Sequence, residues 1–120
     1  MAHFNDETLL IPQCETVGAL EHIEEIAALE GVDGIFVGPY DLSISMGIPG
    51  EFNNPDFQAA IDRIIKAVHD ANKFCIFFAG NPDAVVAGFK RGFDGMAYSL
   101  DAAIIIEALK ERVDTIRKQL

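Results

Sequence analysis

The chain has 120 residues, half of them hydrophobic and 23% charged, which suits one folded domain and excludes the disordered and membrane classes. A net charge of -10, from 19 acidic against 9 basic side chains with no basic patch interleaved with aromatics, argues against nucleic acid as a partner. No apolar stretch approaches the roughly 18 residues of a membrane span, and the start lacks a cationic region followed by an apolar one. Neither membrane nor signal peptide is therefore expected, and a cytoplasmic location is.

After a polar leader, residues 9–14 are short and apolar and read as a first strand, with Pro12 marking it as an edge strand or as its start. Over residues 17–29, Leu20, Ile23, Ile26 and Ala27 recur at helical spacing with Glu21, Glu24 and Glu25 outside the stripe, and Gly31 stands at the usual terminating position. The apolar run 34–38 reads as a buried strand that stops at Gly38-Pro39 and delivers Asp41. The Ser-, Gly-, Pro- and Asn-rich stretch up to Asn54 is long for a connection and predicts a binding loop.

Asn54-Pro55-Asp56 has helix-cap chemistry and opens a helix to about Ala71 whose buried stripe is Phe57, Ile61, Ile64, Ile65 and Val68. Residues 74–79 are a third strand, and Asn81-Pro82-Asp83 repeats the cap signature before a short helix with Val85, Val86 and Phe89 inward. Residues 95–99 are a fourth strand. A last helix over 101–119 carries Ile105, Leu109, Val113 and Ile116 on one stripe.

Four strand-helix units of this kind predict a single α/β domain with a parallel sheet covered by helices, either a small open sheet or half of a (β/α)8 barrel. In such folds ligands bind at the carboxyl ends of the strands. The first polar groups there are Glu15, Asp41, Asn81 and Ser99, and only Glu15 and Asp41 are carboxylates on neighbouring strands. With strands about 4.8 Å apart, two such acids can share one Mg²⁺ or Mn²⁺ whose other positions go to water and substrate. The plainer alternative is that Glu15 favours the start of the first helix and Asp41 organises a turn. Tyr40 either stacks on a ligand or roofs the strand end.

Other chemistries lack their residues. No predicted strand contains the Lys of a Schiff-base aldolase, and no P-loop, GxGxxG or GxSxG is present. His3, His22 and His69 fall on the leader or on helices and read as surface residues. Ser43 and Ser45 read as polar loop groups. Cys14 and Cys75 sit in apolar runs outside any CxxC and read as reduced core residues.

With Gln13-Cys14-Glu15, the run 31–37 into Gly38-Pro39-Tyr40-Asp41-Leu42-Ser43, Met46-Gly47-Ile48-Pro49-Gly50 and the step Phe52-Asn53-Asn54-Pro55 in view, the chain resembles the HpcH/HpaI aldolase/citrate lyase family, the class II pyruvate aldolases. The resemblance implies a (β/α)8 barrel and a divalent metal, Mg²⁺, Mn²⁺ or Co²⁺, held by Glu15 and Asp41. It also implies a pyruvate-binding surface at Gly38, Pro39, Tyr40 and Asp41, with backbone N–H groups around Tyr40 and Asp41 on the carboxylate. The implied chemistry is retro-aldol cleavage of 4-hydroxy-2-oxo acids to pyruvate and an aldehyde. The match falls on the second half of the barrel only. The family's substrate-binding Arg and its His-Asp acid/base pair have no counterpart here, so no catalytic residue is assigned, and a non-catalytic half-barrel that binds metal or oxo acid is the alternative. The resemblance makes the last helix a partner surface, and the two strand edges predict a homo-oligomer, such as a two-fold dimer closing four plus four strands.

Overall fold

A computed structural model of the chain describes residues 7–120; His3 and the rest of the polar leader lie outside them. The order is β1 (Gln13–Cys14), α1 (Val17–Glu21), α2 (Ile23–Ala28), β2 (Gly34–Val37), α3 (Pro39–Ser45), α4 (Pro55–Asp70), β3 (Phe74–Ala79), α5 (Pro82–Arg91), β4 (Gly95–Tyr98) and α6 (Asp101–Gln119). The four strands form one parallel sheet in the order β1-β2-β3-β4, the succession of a half-barrel.

Alternation along the strands separates two faces. Cys14, Ile35, Val37 and Cys75 point into the core beneath the helices, where they join Ile23, Ala27, Leu42, Phe57, Ile61, Ile64 and Val68. Phe36, Ile76 and Phe78 are only half-buried on the other face. The α4 stripe is buried as its periodicity predicts, and each such side chain contributes about 1.5–3 kcal/mol. Its cap forms too, the Asn54 side chain accepting from the Asp56 N–H at 3.0 Å. Arg91 ties α5 to α4 through Asp62 at 2.7 Å and the Gln58 carbonyl at 2.8 Å. Arg63 ties α4 to α2 through Glu24, whose carboxyl its hydrogen bonds pull down to about 2. The Cys14 and Cys75 thiols are free and buried, and burial pushes them up to about 11 and about 12, which leaves them unreactive as nucleophiles.

The structure corrects five expectations. The first strand is two residues long, because Pro12 has no N–H to donate; its carbonyl still accepts from Phe36 and the segment runs beside β2 as an edge. The helix over 17–29 is two helices broken at His22, whose φ of -109° and ψ of 20° leave the helical region; the second ends at Ala28, and Gly31, at φ 84°, serves the turn beyond it. The loop after Gly38 begins as helix α3, with Pro39 in its first turn and Asp41 near its positive end. On α5, Val86 and Phe89 face outward, each 52% exposed. Gly88 takes the inward place instead, since a Cβ there would lie 2.5 Å from the Met96 Cε. Finally, α6 has the predicted stripe but no buried residue. It extends the molecule to 61 × 43 × 24 Å with a radius of gyration of 17.6 Å, against about 14 Å for a compact chain of this length. No helix among the described residues is long and apolar enough to cross a membrane.

Candidate functional site

The carboxyl ends of β1 and β2 are locked in register. Cys14 pairs with Val37, and the Gly38 N–H donates to the Cys14 carbonyl at 3.2 Å, which sets Glu15 beside Gly38. Gly38 is needed there for space. A Cβ at that position would lie 2.5 Å from the Gln13 Nε2 and 3.3 Å from the Glu15 Cβ, so the missing side chain lets Gln13 and Glu15 lean over the end of β2. Gly38 is also the residue from which α3 starts, and Asp41 follows in its first turn, exposed to solvent. Two carboxylates thus flank one glycine. Neither has a hydrogen bond or an ion pair with another described residue.

Two serines brace this arrangement. Ser45 Oγ accepts from the Val17 N–H at 2.9 Å, joining the segment just after Glu15 to the end of α3. Ser43, fully buried, donates to the Tyr40 carbonyl at 2.7 Å and accepts from the Gly50 N–H at 3.0 Å. Both lie on α3, and their hydrogen bonds hold the helix against α1 and the loop that follows it.

A cavity of about 210 Å³ opens at this strand end, lined by Gln13, Phe36, Gly38, Pro39, Tyr40, Asp41 and Phe78. The four residues expected to face a substrate, Gly38 to Asp41, are all on its wall, while Glu15 abuts Gly38 just outside the lining. Gln13, Phe36 and Phe78 were not anticipated. The signal for Gln13 was available, since it stands two residues before Glu15 on a period-two strand and so shares its face.

As a metal site the donor set is lean but of the right kind. Among the described residues no group of three or more His, Cys, Asp and Glu could hold an ion. Two carboxylates and the Gln13 amide are all hard oxygen donors, which suit Mg²⁺ or Mn²⁺ with remaining positions left to water and ligand. Asn81 and Ser99, the other strand-end groups, are used structurally. Asn81 caps α5 by accepting from the Ala84 N–H at 2.9 Å, and Ser99 turns the chain at φ 54° with its N–H on the Ala79 carbonyl. His22, at the break between α1 and α2, pairs with Glu25 at 3.5 Å and His69, on α4, with Asp94 at 2.9 Å, both exposed and away from the cavity lining. Lys73, before β3, donates to the Leu29 carbonyl at 2.6 Å.

The HpcH/HpaI aldolase/citrate lyase family matches residues 2–108. The 2-keto-3-deoxy-L-rhamnonate aldolase of Escherichia coli O1:K1 / APEC is 35% identical over 113 residues, which are 94% of this chain and 42% of that protein. Among solved structures, an HpcH/HpaI aldolase/citrate lyase family protein from Burkholderia cenocepacia J2315 superposes with a TM-score of 0.89 at 30% identity, over 93% of this chain and 44% of that one. The HpcH/HpaI aldolase from Desulfitobacterium hafniense DCB-2 does so with 0.85 at 30% identity, over 94% and 44%. The chain spans less than half the length of each of these relatives. A sheet of four parallel strands, each followed by helix, with Glu15 and Asp41 at adjacent strand ends and a match that runs through nearly the whole sequence, places the chain in the HpcH/HpaI aldolase/citrate lyase family.

Proposed function

We propose that Glu15 and Asp41, with the Gln13 amide beside them, hold a divalent metal, Mg²⁺, Mn²⁺ or Co²⁺, and that the adjoining cavity takes a 2-oxo acid such as pyruvate. The chain would then serve the retro-aldol cleavage of a 4-hydroxy-2-oxo acid to pyruvate and an aldehyde. The observation that carries this reading is the placement of Glu15 and Asp41, neither carboxylate engaged by another described residue, on either side of Gly38 at the ends of neighbouring strands and at the mouth of a cavity. When bound, the metal supplies Lewis-acid polarisation of the keto group.

The chain's own residues account for binding and orientation. Pro39 has no N–H, and the Tyr40 and Asp41 N–H groups in the first turn of α3 lie too early for a partner within the helix, so they are free for a ligand carboxylate. The Gln13 Nε2, which lies against Gly38, can donate as well. Phe36 and Phe78 add an apolar wall beside these donors.

A second reading, a module that binds metal and oxo acid without turnover, is favoured by one observation: no His lines the cavity, and both described histidines are engaged elsewhere. General base catalysis is worth about 10²- to 10⁴-fold, so the two readings separate in a single assay. Release of pyruvate from a 4-hydroxy-2-oxo acid with Mn²⁺, above the metal-only background and abolished in Asp41→Ala, supports the lyase. Background rates with retained pyruvate binding support the module.

Assembly with a second copy is part of the same proposal. The exposed stripe of α6, Ile105, Leu109, Val113 and Ile116, and the outward Val86 and Phe89 of α5 leave large apolar side chains open to solvent, which favours association. Sedimentation is expected to show a dimer or larger; a stable monomer at micromolar concentration contradicts it.

A further inference from the structure

A second cavity adjoins the first. It measures about 200 Å³ and is walled by Pro39, Tyr40, Phe52, Phe77, Phe78 and Ala84, with Asn81 at its edge. Four aromatic rings therefore meet in one small space, in a chain with nine Phe, two Tyr and no Trp. Pro39, Tyr40 and Phe78 also line the first cavity, so the two spaces share these walls.

The shared wall is firmly set. The Tyr40 ring meets Phe52 edge-on, centroids 4.9 Å apart at 90°, and Phe78 at 6.3 Å, while Phe52 leans on the buried Phe57 at 5.5 Å. Phe52 is placed by its own loop: its N–H donates to the Gly50 carbonyl, its carbonyl accepts from the Gln58 side chain, and Gly50 is anchored on buried Ser43. Tyr40 is nonetheless 54% exposed, which puts a half-open ring where the two cavities meet.

Resting on the oxo-acid reading of the first cavity, we infer that the second receives an apolar substituent, an aryl or branched alkyl group, carried at the far end of the same 2-oxo acid. The size fits, because an apolar cavity of about 150 Å³ admits benzene. The chemistry fits as well. Among the described residues that line this space, Asn81 and Tyr40 are the only ones with polar side chains, and the Asn81 Oδ1 is already taken by the Ala84 N–H. That leaves the Asn81 Nδ2 and the Tyr40 hydroxyl, too few to satisfy a polyhydroxylated tail, whose remaining hydroxyls would lose partners against the aromatic walls. A phenyl ring would instead meet ring edges and faces. Tyr40 thus acts as the specificity-determining residue between the oxo-acid head and the apolar tail.

Calorimetric titration of the full chain with Mn²⁺ tests this with two probes, pyruvate and 2-oxo-4-phenylbutanoate. The phenyl acid is expected to bind roughly 10- to 100-fold more tightly, the gain from burying one aromatic ring. That ratio should fall toward one in Ala84→Phe, which fills the cavity, and in the milder Ala84→Leu. Equal affinities in the wild type, or a ratio that survives both substitutions, overturns the inference and leaves the oxo-acid site standing. Absence of pyruvate binding removes the oxo-acid site, and the inference with it.

Discussion

Replacing Asp41 by Ala is expected to lower the Mn²⁺ affinity of the chain by at least about 100-fold. Loss of a residue that merely orients a metal ligand costs about 10- to 100-fold, and Asp41 is one of only two carboxylates at this strand end. Glu15→Ala is expected to do the same, because Glu15 stands against Gly38 from the neighbouring strand, its Cβ 3.3 Å from where a Gly38 Cβ would lie. Neither substitution removes a core side chain, so stability should change by no more than the roughly 0.3–1 kcal/mol that Asp41 contributes near the positive end of α3. Titration of Mn²⁺ monitored by its electron paramagnetic resonance signal measures the free ion directly. Unchanged affinity in both variants would place the metal elsewhere.

Gly34→Ala is expected to have the largest effect on stability of any single methyl addition in the sheet. A Cβ at Gly34 would lie 2.6 Å from the Phe74 carbonyl oxygen and 2.5 Å from its ring, and the register pairs the same two residues. The ring could swing aside but the backbone oxygen belongs to the ladder, so β2 must shift against β3. Overpacking of this kind costs about 1–3 kcal/mol. Gly80→Ala is the matched control. It lies just beyond β3 with open space where a Cβ would go, and its expected effect is near neutral or stabilising by up to about 1 kcal/mol through the unfolded chain. Urea unfolding followed by circular dichroism compares the two. Equal midpoints would mean that β2 does not approach β3 as described.

What was legible in the sequence and what was not divides along physical lines. Continuous apolar runs such as 74–79, and the caps at Asn54 and Asn81, carry local information, and each led to the right element. The helix α3 was hidden because Ser43 and Ser45 look like loop residues until their hydroxyls are seen bonding to Tyr40, Gly50 and Val17. Periodicity placed Val86, Phe89 and Ile105 on apolar faces but could not say whether anything covers them. That depends on packing partners, and here those faces are open. At the site, the carboxylates stood out by their position at strand ends. Gln13 did not, although its spacing of two from Glu15 puts it on the same face; that Gly38 makes room for it shows only in the structure.

The cavity walls separate the site's two tasks. Gln13 and Asp41 supply polar side chains, whereas Phe36 and Phe78 supply apolar wall. The most direct test of the central claim is a calorimetric titration of pyruvate into the chain with and without Mn²⁺, in the wild type and in Glu15→Ala. Pyruvate binding that requires Mn²⁺ and disappears in Glu15→Ala is the predicted result. Binding that is independent of the metal, or equal in the two proteins, would contradict it.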